Sequence, residues 1–365
     1  MTGVRVAIIG SRGIPARYGG FETLVEELAP RLVALGHDVT VYCRAGYSGR
    51  QASYRGVRLV QSPYLPIRSL ETLSHEAASI LDSLRRPLDA YYFLGTRSAP
   101  LYVPLRLSRR KVLVHTDGIE WKRRKWSAIG RTWLKASESI AARVAAQQLV
   151  TDAEAMRDYY LERYGVASAC IPYGTRIVEG EADVSAWSLS PGGYHLVVCR
   201  LEPENNVDLI IQAFIASGSD KELVVVGDAG TRNGRALRRL ARGHRIRFLG
   251  PVYGPPLDDL RLGAATYVHG HEVGGLNPSL LEAMGAGACC LAKDTPFARE
   301  ALGAAGRYWG AVEDLARLLA WAEGDPGAAA ALGSEARERA RGFDWDQAAA
   351  SHDALLRDLV GRSRP

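Results

Sequence analysis

Three stretches of this chain set polar side chains, and in two of them glycines, directly after short apolar runs, an arrangement that can hold an anion. The first is Ser11-Arg12-Gly13-Ile14-Pro15-Ala16-Arg17-Tyr18-Gly19-Gly20. Its glycines let backbone amides approach a phosphate, and the helix that follows adds a positive N-terminal end. The spacing is not Gly-x-Gly-x-x-Gly, and Arg44 rather than an acidic residue follows the next apolar run. Both features disfavour a nicotinamide dinucleotide site. The alternative for these glycines is a tight loop without a ligand.

The second stretch is Cys199-Arg200-Leu201-Glu202-Pro203-Glu204-Asn205-Asn206. An arginine at the carboxyl end of a strand is permanently charged and suits phosphate oxygens; the alternative is a surface ion pair. The third runs from Tyr267 through His269, His271, Glu272, Gly274, Gly275, Leu276, Asn277, Pro278, Ser279 and Leu280 to Glu282. It reads as strand, glycine loop and helix. Pro278 fits the first helical turn, whose amides at Asn277–Leu280 are expected to point at an anion. Glu282, a turn further on, is placed to accept hydrogen bonds from a ribose diol; otherwise it is an ordinary solvated helix residue.

A fourth stretch, His115-Thr116-Asp117-Gly118-Ile119-Glu120-Trp121-Lys122-Arg123-Arg124-Lys125-Trp126, follows another apolar run. Its aromatic and cationic residues fit an anionic lipid surface, and they fit equally a core helix anchored by Trp121 and Trp126. Metal chemistry has little to stand on. Asp344-Trp345-Asp346 reads as a helix cap with a packed Trp, and His269 and His271 lack a third ligand.

These loops need strands and helices to position them. Apolar runs at Val4–Ile9, Val39–Cys43, Val57–Val60, Ala90–Leu94, Val112–His115 and Leu149–Thr151 predict strands of one sheet. Phe21, Leu24, Val25, Leu28, Leu32 and Leu35 predict a helix ended by Gly36, and an Ala-rich helix is predicted over Ser137–Gln148. The pattern restarts at Tyr194–Cys199 and continues with Glu222–Val226, Arg245–Leu249, Ala265–His269 and Ala288–Ala292, again with helices between. Alternating strands and helices in both halves imply an α/β chain of two Rossmann-like, doubly wound domains. The divisions are residues 1–178, a hinge at 179–193 marked by Pro191-Gly192-Gly193, a second domain at 194–340, and a C-terminal helix at 341–365.

Bulk properties narrow the setting. A length of 365 residues suits two domains, and 47% hydrophobic with 24% charged residues is ordinary globular composition. The net charge of +6 fits an anionic ligand or membrane surface, whereas nucleic acid would need a tighter basic patch. Five scattered cysteines argue against a disulfide framework and for a reducing compartment. No signal core and no spanning apolar window stand out, so a cytoplasmic protein is expected, with any membrane contact peripheral.

With these motifs in view, the chain resembles the family 4 retaining glycosyltransferases, which have the GT-B fold. Their usual donor segment is Glu-Gly-Phe-Gly-x-x-x-x-Glu-Ala-Met, similar to Gly274 through Glu282-Ala283-Met284 here. Arg200 and Asn205 resemble their Arg-x4-Lys phosphate clamp, and Gly19-Gly20 their first-loop glycine pair. Ser11–Glu22, Asp117–Arg123 and Val273–Ser279 resemble a bacterial rhamnosyltransferase-like subgroup. The resemblance covers nearly the whole chain. It implies two domains facing a central cleft, the C-terminal helix packed back toward the first domain, and a nucleoside diphosphate sugar as co-substrate without cofactor or metal.

The resemblance also implies roles. Gly19, Gly20, Arg200, Asn205, Tyr253, Gly274, Gly275, Leu276, Asn277, Pro278, Ser279, Leu280 and Glu282 would bind the donor. His115 and Arg200 would act in catalysis, and Arg17, Tyr18, Asp117 and Glu120 would bind the acceptor. Two positions depart from the family pattern. Gly274 stands where a Glu normally contacts the donor sugar, and neutral Asn205 stands where the clamp Lys is usual; Glu272 is a candidate substitute for the former. The expected reaction transfers L-rhamnose or another deoxyhexose, with retention, to a saccharide, lipid-linked or natural-product acceptor. The alternatives are a nucleotide-sugar epimerase or hydrolase of the same fold, and a non-catalytic nucleotide-sugar-binding protein.

Overall fold

The computed structural model describes residues 3–17, 19–49, 51–67, 70–116 and 118–361. The chain divides into two compact units. One comprises Met1–Trp121, Trp126–Tyr173 and Trp345–Pro365; the other comprises Lys122–Lys125 and Gly174–Asp344.

The first unit is built on β1 (Arg5–Ile9), β2 (Asp38–Arg44), β3 (Ser53–Tyr54), β4 (Val57–Ser62), β5 (Ala90–Leu94), β6 (Lys111–His115), β7 (Gln148–Thr151) and β8 (Ser168–Cys170). Their order across the sheet is β3-β4-β2-β1-β5-β6-β7-β8. All pairs are parallel except the β3–β4 hairpin at the edge. Burial on both faces explains why β1 and β5 are nearly unbroken apolar runs. The helix Gly20–Ala34 buries Leu24, Val25, Leu28 and Leu32, the predicted stripe, while Leu35 stays exposed. Gly36, at φ 92°, ends it in a conformation that disfavours any side chain.

The second unit carries β9 (Tyr194–Val198), β10 (Glu222–Val226), β11 (Ile246–Gly250), β12 (Thr266–His269), β13 (Cys290–Lys293) and β14 (Arg307–Trp309). The order β11-β10-β9-β12-β13-β14 reverses direction between β9 and β12, as in a doubly wound nucleotide-binding sheet. Every pair is parallel.

Two details, one helix and the hinge, differ from the sequence reading. The helix expected over Ser137–Gln148 starts earlier, as the α-helix Ala128–Ile140, and continues as a π-helical turn over Ala141–Ala145. Ser127 is its cap, accepting the Gly130 amide at 3.2 Å, and Ser137 is buried mid-helix. The predicted end cannot be helical because Gln147 already pairs with Val112, its amide donating to the Val112 carbonyl at 2.9 Å. The tail is two helices, Pro326–Ala340 in the second unit and Trp345–Gly361 in the first. The latter is fastened by Arg31–Asp346 (2.7 Å), His37–Asp353 (2.6 Å) and Tyr92–His352 (2.9 Å). Finally, the stretch read as a hinge is tied into the second unit: Arg247 donates to the Trp187 carbonyl, and the Gly192 amide to that of Gly263.

Candidate functional site

In the first unit the loop after β1 emerges where the strand order reverses, between β1 and β5. Its shape comes from a residue the sequence reading left without a role. Glu22, 8% exposed in the first turn of its helix, accepts the Arg12 amide through Oε1 at 2.8 Å. Burial raises its carboxyl above the usual range. Gly19 sits at φ 115°, and a Cβ there would collide with the Glu22 carboxylate, so both backbone and space demand glycine. On the other side, the Arg17 amide donates to the Tyr47 hydroxyl at 2.9 Å, and the Ser48 hydroxyl donates to the Ile14 carbonyl at 2.6 Å. Arg12, Arg17, Gly19 and Gly20 are exposed along this braced loop. Tyr18 and Asp117 lie outside the described residues.

His115 ends β6 and is fully buried, between Tyr173 (stacked, 5.7 Å) and Phe21 (edge-on, 5.6 Å). Burial, aided by nearby His352, lowers its pKa to about 3. Its Nδ1 lies 3.0 Å from the Thr116 carbonyl, which assigns the proton to Nδ1 and leaves Nε2 an acceptor with no partner among the described residues. A neutral buried imidazole does not shuttle protons near neutral pH, so any catalytic part for His115 is as a hydrogen-bond acceptor. Glu120, expected at the acceptor, is 5% exposed and takes the Trp126 indole N–H at 3.1 Å; it braces the loop rather than facing solvent. Trp121 likewise donates to Glu138, at 3.4 Å.

In the second unit the loops after β9 and β12 emerge side by side at the reversal. Arg200, just past β9, has an exposed side chain. Asn205 is 3% exposed, and its amide donates to the Arg200 carbonyl at 2.6 Å, so this side chain closes the loop instead of reaching outward as a clamp residue would. Neighbouring Asn206 donates to the Gly270 carbonyl at 2.9 Å and joins the two loops. Gly270 must be glycine, because a Cβ would meet the Asn205 carbonyl.

At the end of β12, His269 stacks on His271 at 4.3 Å, and burial lowers His269 to about 3. The Glu272 amide donates to the Glu204 carbonyl at 3.1 Å. Its carboxylate helps line a pocket of about 320 Å³ with Lys122, Arg124, Glu204 and Val273. Gly274 has φ 152° and open space where a side chain would stand. Asn277 caps the helix Pro278–Gly285, its Oδ1 accepting the Ser279 amide at 3.0 Å.

That cap corrects one expectation. Pro278 has no amide hydrogen, Ser279's is taken by Asn277 Oδ1, and Leu280's donates to the Asn277 carbonyl at 3.0 Å. The amides of Ser279 and Leu280 are therefore engaged, because asparagine is itself an effective cap. The side chains of Leu276 and Leu280 are core residues, 3% and 1% exposed. The Ser279 hydroxyl bonds Tyr267 at 2.6 Å. Tyr253, 49% exposed, lies in the loop beyond β11. Glu282 is partly exposed and ion-paired to buried Arg261, a partner the sequence did not signal.

Among the described residues no cluster of three potential metal ligands occurs, and no helix is long and apolar enough to cross a membrane. Trp345 packs on Tyr173 at 6.2 Å, and Asp346 pairs with Arg31. Cys43, Cys199, Cys289 and Cys290 are free thiols.

Comparison with known proteins bears on both units. Residues 18–176 match the model of Glycosyltransferase Family 4, and residues 191–339 match that of Glycosyl transferases group 1. No curated protein matches the chain by sequence. Solved structures do. The sucrose-phosphate synthase of Thermosynechococcus elongatus aligns over 99% of this chain and 100% of its own, at 19% identity and a TM-score of 0.83. Anabaena HepE, solved with UDP and glucose, aligns over 97% and 100%, at 19% identity and 0.77. WaaG, a glycosyltransferase involved in lipopolysaccharide biosynthesis, aligns over 96% and 99%, at 16% identity and 0.75. At these identities the structural likeness establishes the fold.

Proposed function

The chain belongs to the glycosyltransferases of the GT-B fold, and from that premise we propose that it transfers L-rhamnose or another deoxyhexose from a nucleoside diphosphate, with retention, to a saccharide, lipid-linked or natural-product hydroxyl. The observation that carries this reading is the pairing of the Arg200 loop with the Gly274–Gly275 loop at the strand reversal of the second unit. Ligands of such sheets bind outside the strands' carboxyl ends at this point. The fold relative solved with UDP and glucose supports a nucleotide-sugar donor.

In this reading Arg200 holds the diphosphate, with the Gly274–Gly275 backbone beside it, and Asn205 acts by keeping the Arg200 loop closed. Glu282 takes the ribose and Tyr253 the base side. Glu272 takes hydroxyls of the sugar, the part left vacant by glycine at 274. In the first unit Gly19 and Gly20 serve the donor, and Arg17, Tyr18 and Asp117 serve the acceptor. The reaction needs no metal or cofactor. The acceptor oxygen bonds to the anomeric carbon on the face from which the diphosphate oxygen leaves, and the hydroxyl proton passes to that departing oxygen. Positioning and charge stabilisation supply most of the rate.

A peripheral contact with the inner membrane face is part of the proposal. On the helix Ala128–Ile140, Ile129 is 85% exposed and Trp133 48%, one turn apart, with Arg131 and Lys135 also exposed. Apolar anchors among cations suit an anionic lipid surface.

The test is product analysis with UDP-, GDP-, ADP- and dTDP-linked sugars. Retention predicts that the new anomeric proton and carbon couplings match those of the donor. An inverted product would overturn the mechanism, and turnover of donor at full rate without acceptor would favour a hydrolase or epimerase. Nucleotide binding without transfer to any acceptor would favour a binding protein.

A further inference from the structure

Glu282 does not stand alone on its helix. Arg261, on the helix Pro255–Leu262 that leads into β12, pairs through Nη2 with Glu282 Oε2. Its Nη1 donates to Asp258 Oδ1 at 3.0 Å, and Asp258 Oδ2 receives Arg176 at 3.2 Å. The Arg261 side chain is 4% exposed and that of Glu282 34%, so the charge is buried behind the carboxylate and the carboxylate faces outward. Among the described residues no other group bonds the Glu282 carboxylate.

A glutamate on a helix surface has three free torsions, and fixing them on ligand binding costs affinity. A planar guanidinium held on its other arm removes that freedom beforehand. Burying a guanidinium is costly, and apolar side chains would pack two helices at least as well. The arrangement therefore calls for a reason beyond packing.

We propose that Arg261, braced by Asp258, is a positioning residue that presets Glu282 to receive the sugar hydroxyls of the donor nucleoside. The inference rests on the ribose role of Glu282. It assigns to Arg261 no contact with the nucleotide.

The experiment compares calorimetric affinities for a nucleoside diphosphate and its 2′,3′-dideoxy analogue, taking whichever of UDP, GDP, ADP or dTDP binds best. Wild type should prefer the hydroxylated form by about tenfold or more, the worth of a hydrogen bond to a charged group. Glu282→Gln should bring the ratio toward one; if it does not, the ribose reading itself fails. Arg261→Lys keeps the charge and loses the fork. It should cut the preference severalfold while leaving the dideoxy affinity unchanged, which a general loosening of the fold would not do. Asp258→Asn, which retains the guanidinium, should cut it less. If Glu282→Gln abolishes the preference but folded Arg261→Lys and Asp258→Asn both keep the wild-type ratio, Arg261 merely joins two helices and the proposal is overturned.

Discussion

Glu22 Oε1 accepts the backbone N–H of Arg12 at 2.8 Å, so a carboxylate at a helix start sets the path of the glycine loop before it. Glu22→Ala leaves that amide unpaired in a partly buried place, at a cost of about 1–3 kcal/mol. Gly19→Ala displaces the same carboxylate and adds strain at φ 115°. Both should lower the transfer rate, while Glu22→Gln, which keeps the acceptor, should be milder. Steady-state kinetics alongside thermal melts check this. Equal rates for Ala and Gln at position 22 would show that the bond does not shape the loop.

Acid should destabilise the protein. Burial holds His75 and His352 at about 4 and His115 and His269 at about 3, below the 6.5 of an exposed histidine. Each is neutral when folded and takes a proton when unfolded. Its contribution is complete above pH 6.5 and is lost as pH falls toward 4, at up to about 1.4 kcal/mol per pH unit. Buried Glu76, raised to about 7, works the other way, favouring the fold more as pH falls from 7 toward 4.5. Glu22, also raised by burial, acts in the same sense as Glu76, but the four histidines outweigh these two carboxylates, so Tm should fall between pH 6.5 and 4.5. Glu76→Gln should gain on wild type more at pH 8 than at pH 5. A Tm that is flat or rises on acidification would contradict this balance.

Ile129→Ser combined with Trp133→Ser should abolish sedimentation with vesicles containing phosphatidylglycerol. Trp133 is half buried and its indole donates to the Arg97 carbonyl at 3.1 Å, so the double variant also loses Tm. Ile129→Ser alone, at an 85% exposed side chain, should weaken sedimentation with Tm nearly unchanged. Wild-type binding should weaken with salt and vanish on phosphatidylcholine alone. Undiminished binding by the double variant would place the contact elsewhere.

Most strands were legible because buried parallel strands are short apolar runs, as in Ala90–Leu94 and Glu222–Val226, whose predicted bounds are those observed. The three-residue strand Arg307–Trp309 is too short for any periodicity to mark. In the Ala-rich region after Ser127, helix propensity runs on to Gln147, and only pairing with Val112 in another strand ends it. The glycine loops were visible as composition. What holds them was not: Arg261 and Glu282 are 21 residues apart, and Asn205 reads as a candidate ligand until its amide is seen on the Arg200 carbonyl. Such partners are set by tertiary packing, which spacing along the chain does not encode.

Glu282→Ala should weaken nucleoside diphosphate binding by about tenfold or more, with the larger loss on the hydroxylated sugar. Unchanged calorimetric affinity would remove Glu282 from the site.

The central claim is that the diphosphate of a sugar nucleotide is held at the β9–β12 reversal by Arg200. The direct measurement is calorimetric titration of wild type and Arg200→Ala with UDP, GDP, ADP and dTDP and the corresponding nucleosides. One diphosphate should bind wild type well, and Arg200→Ala should lose about tenfold or more for it while the weak binding of the nucleoside is unchanged. If no diphosphate binds wild type, or if Arg200→Ala binds the preferred one as tightly, the account is contradicted.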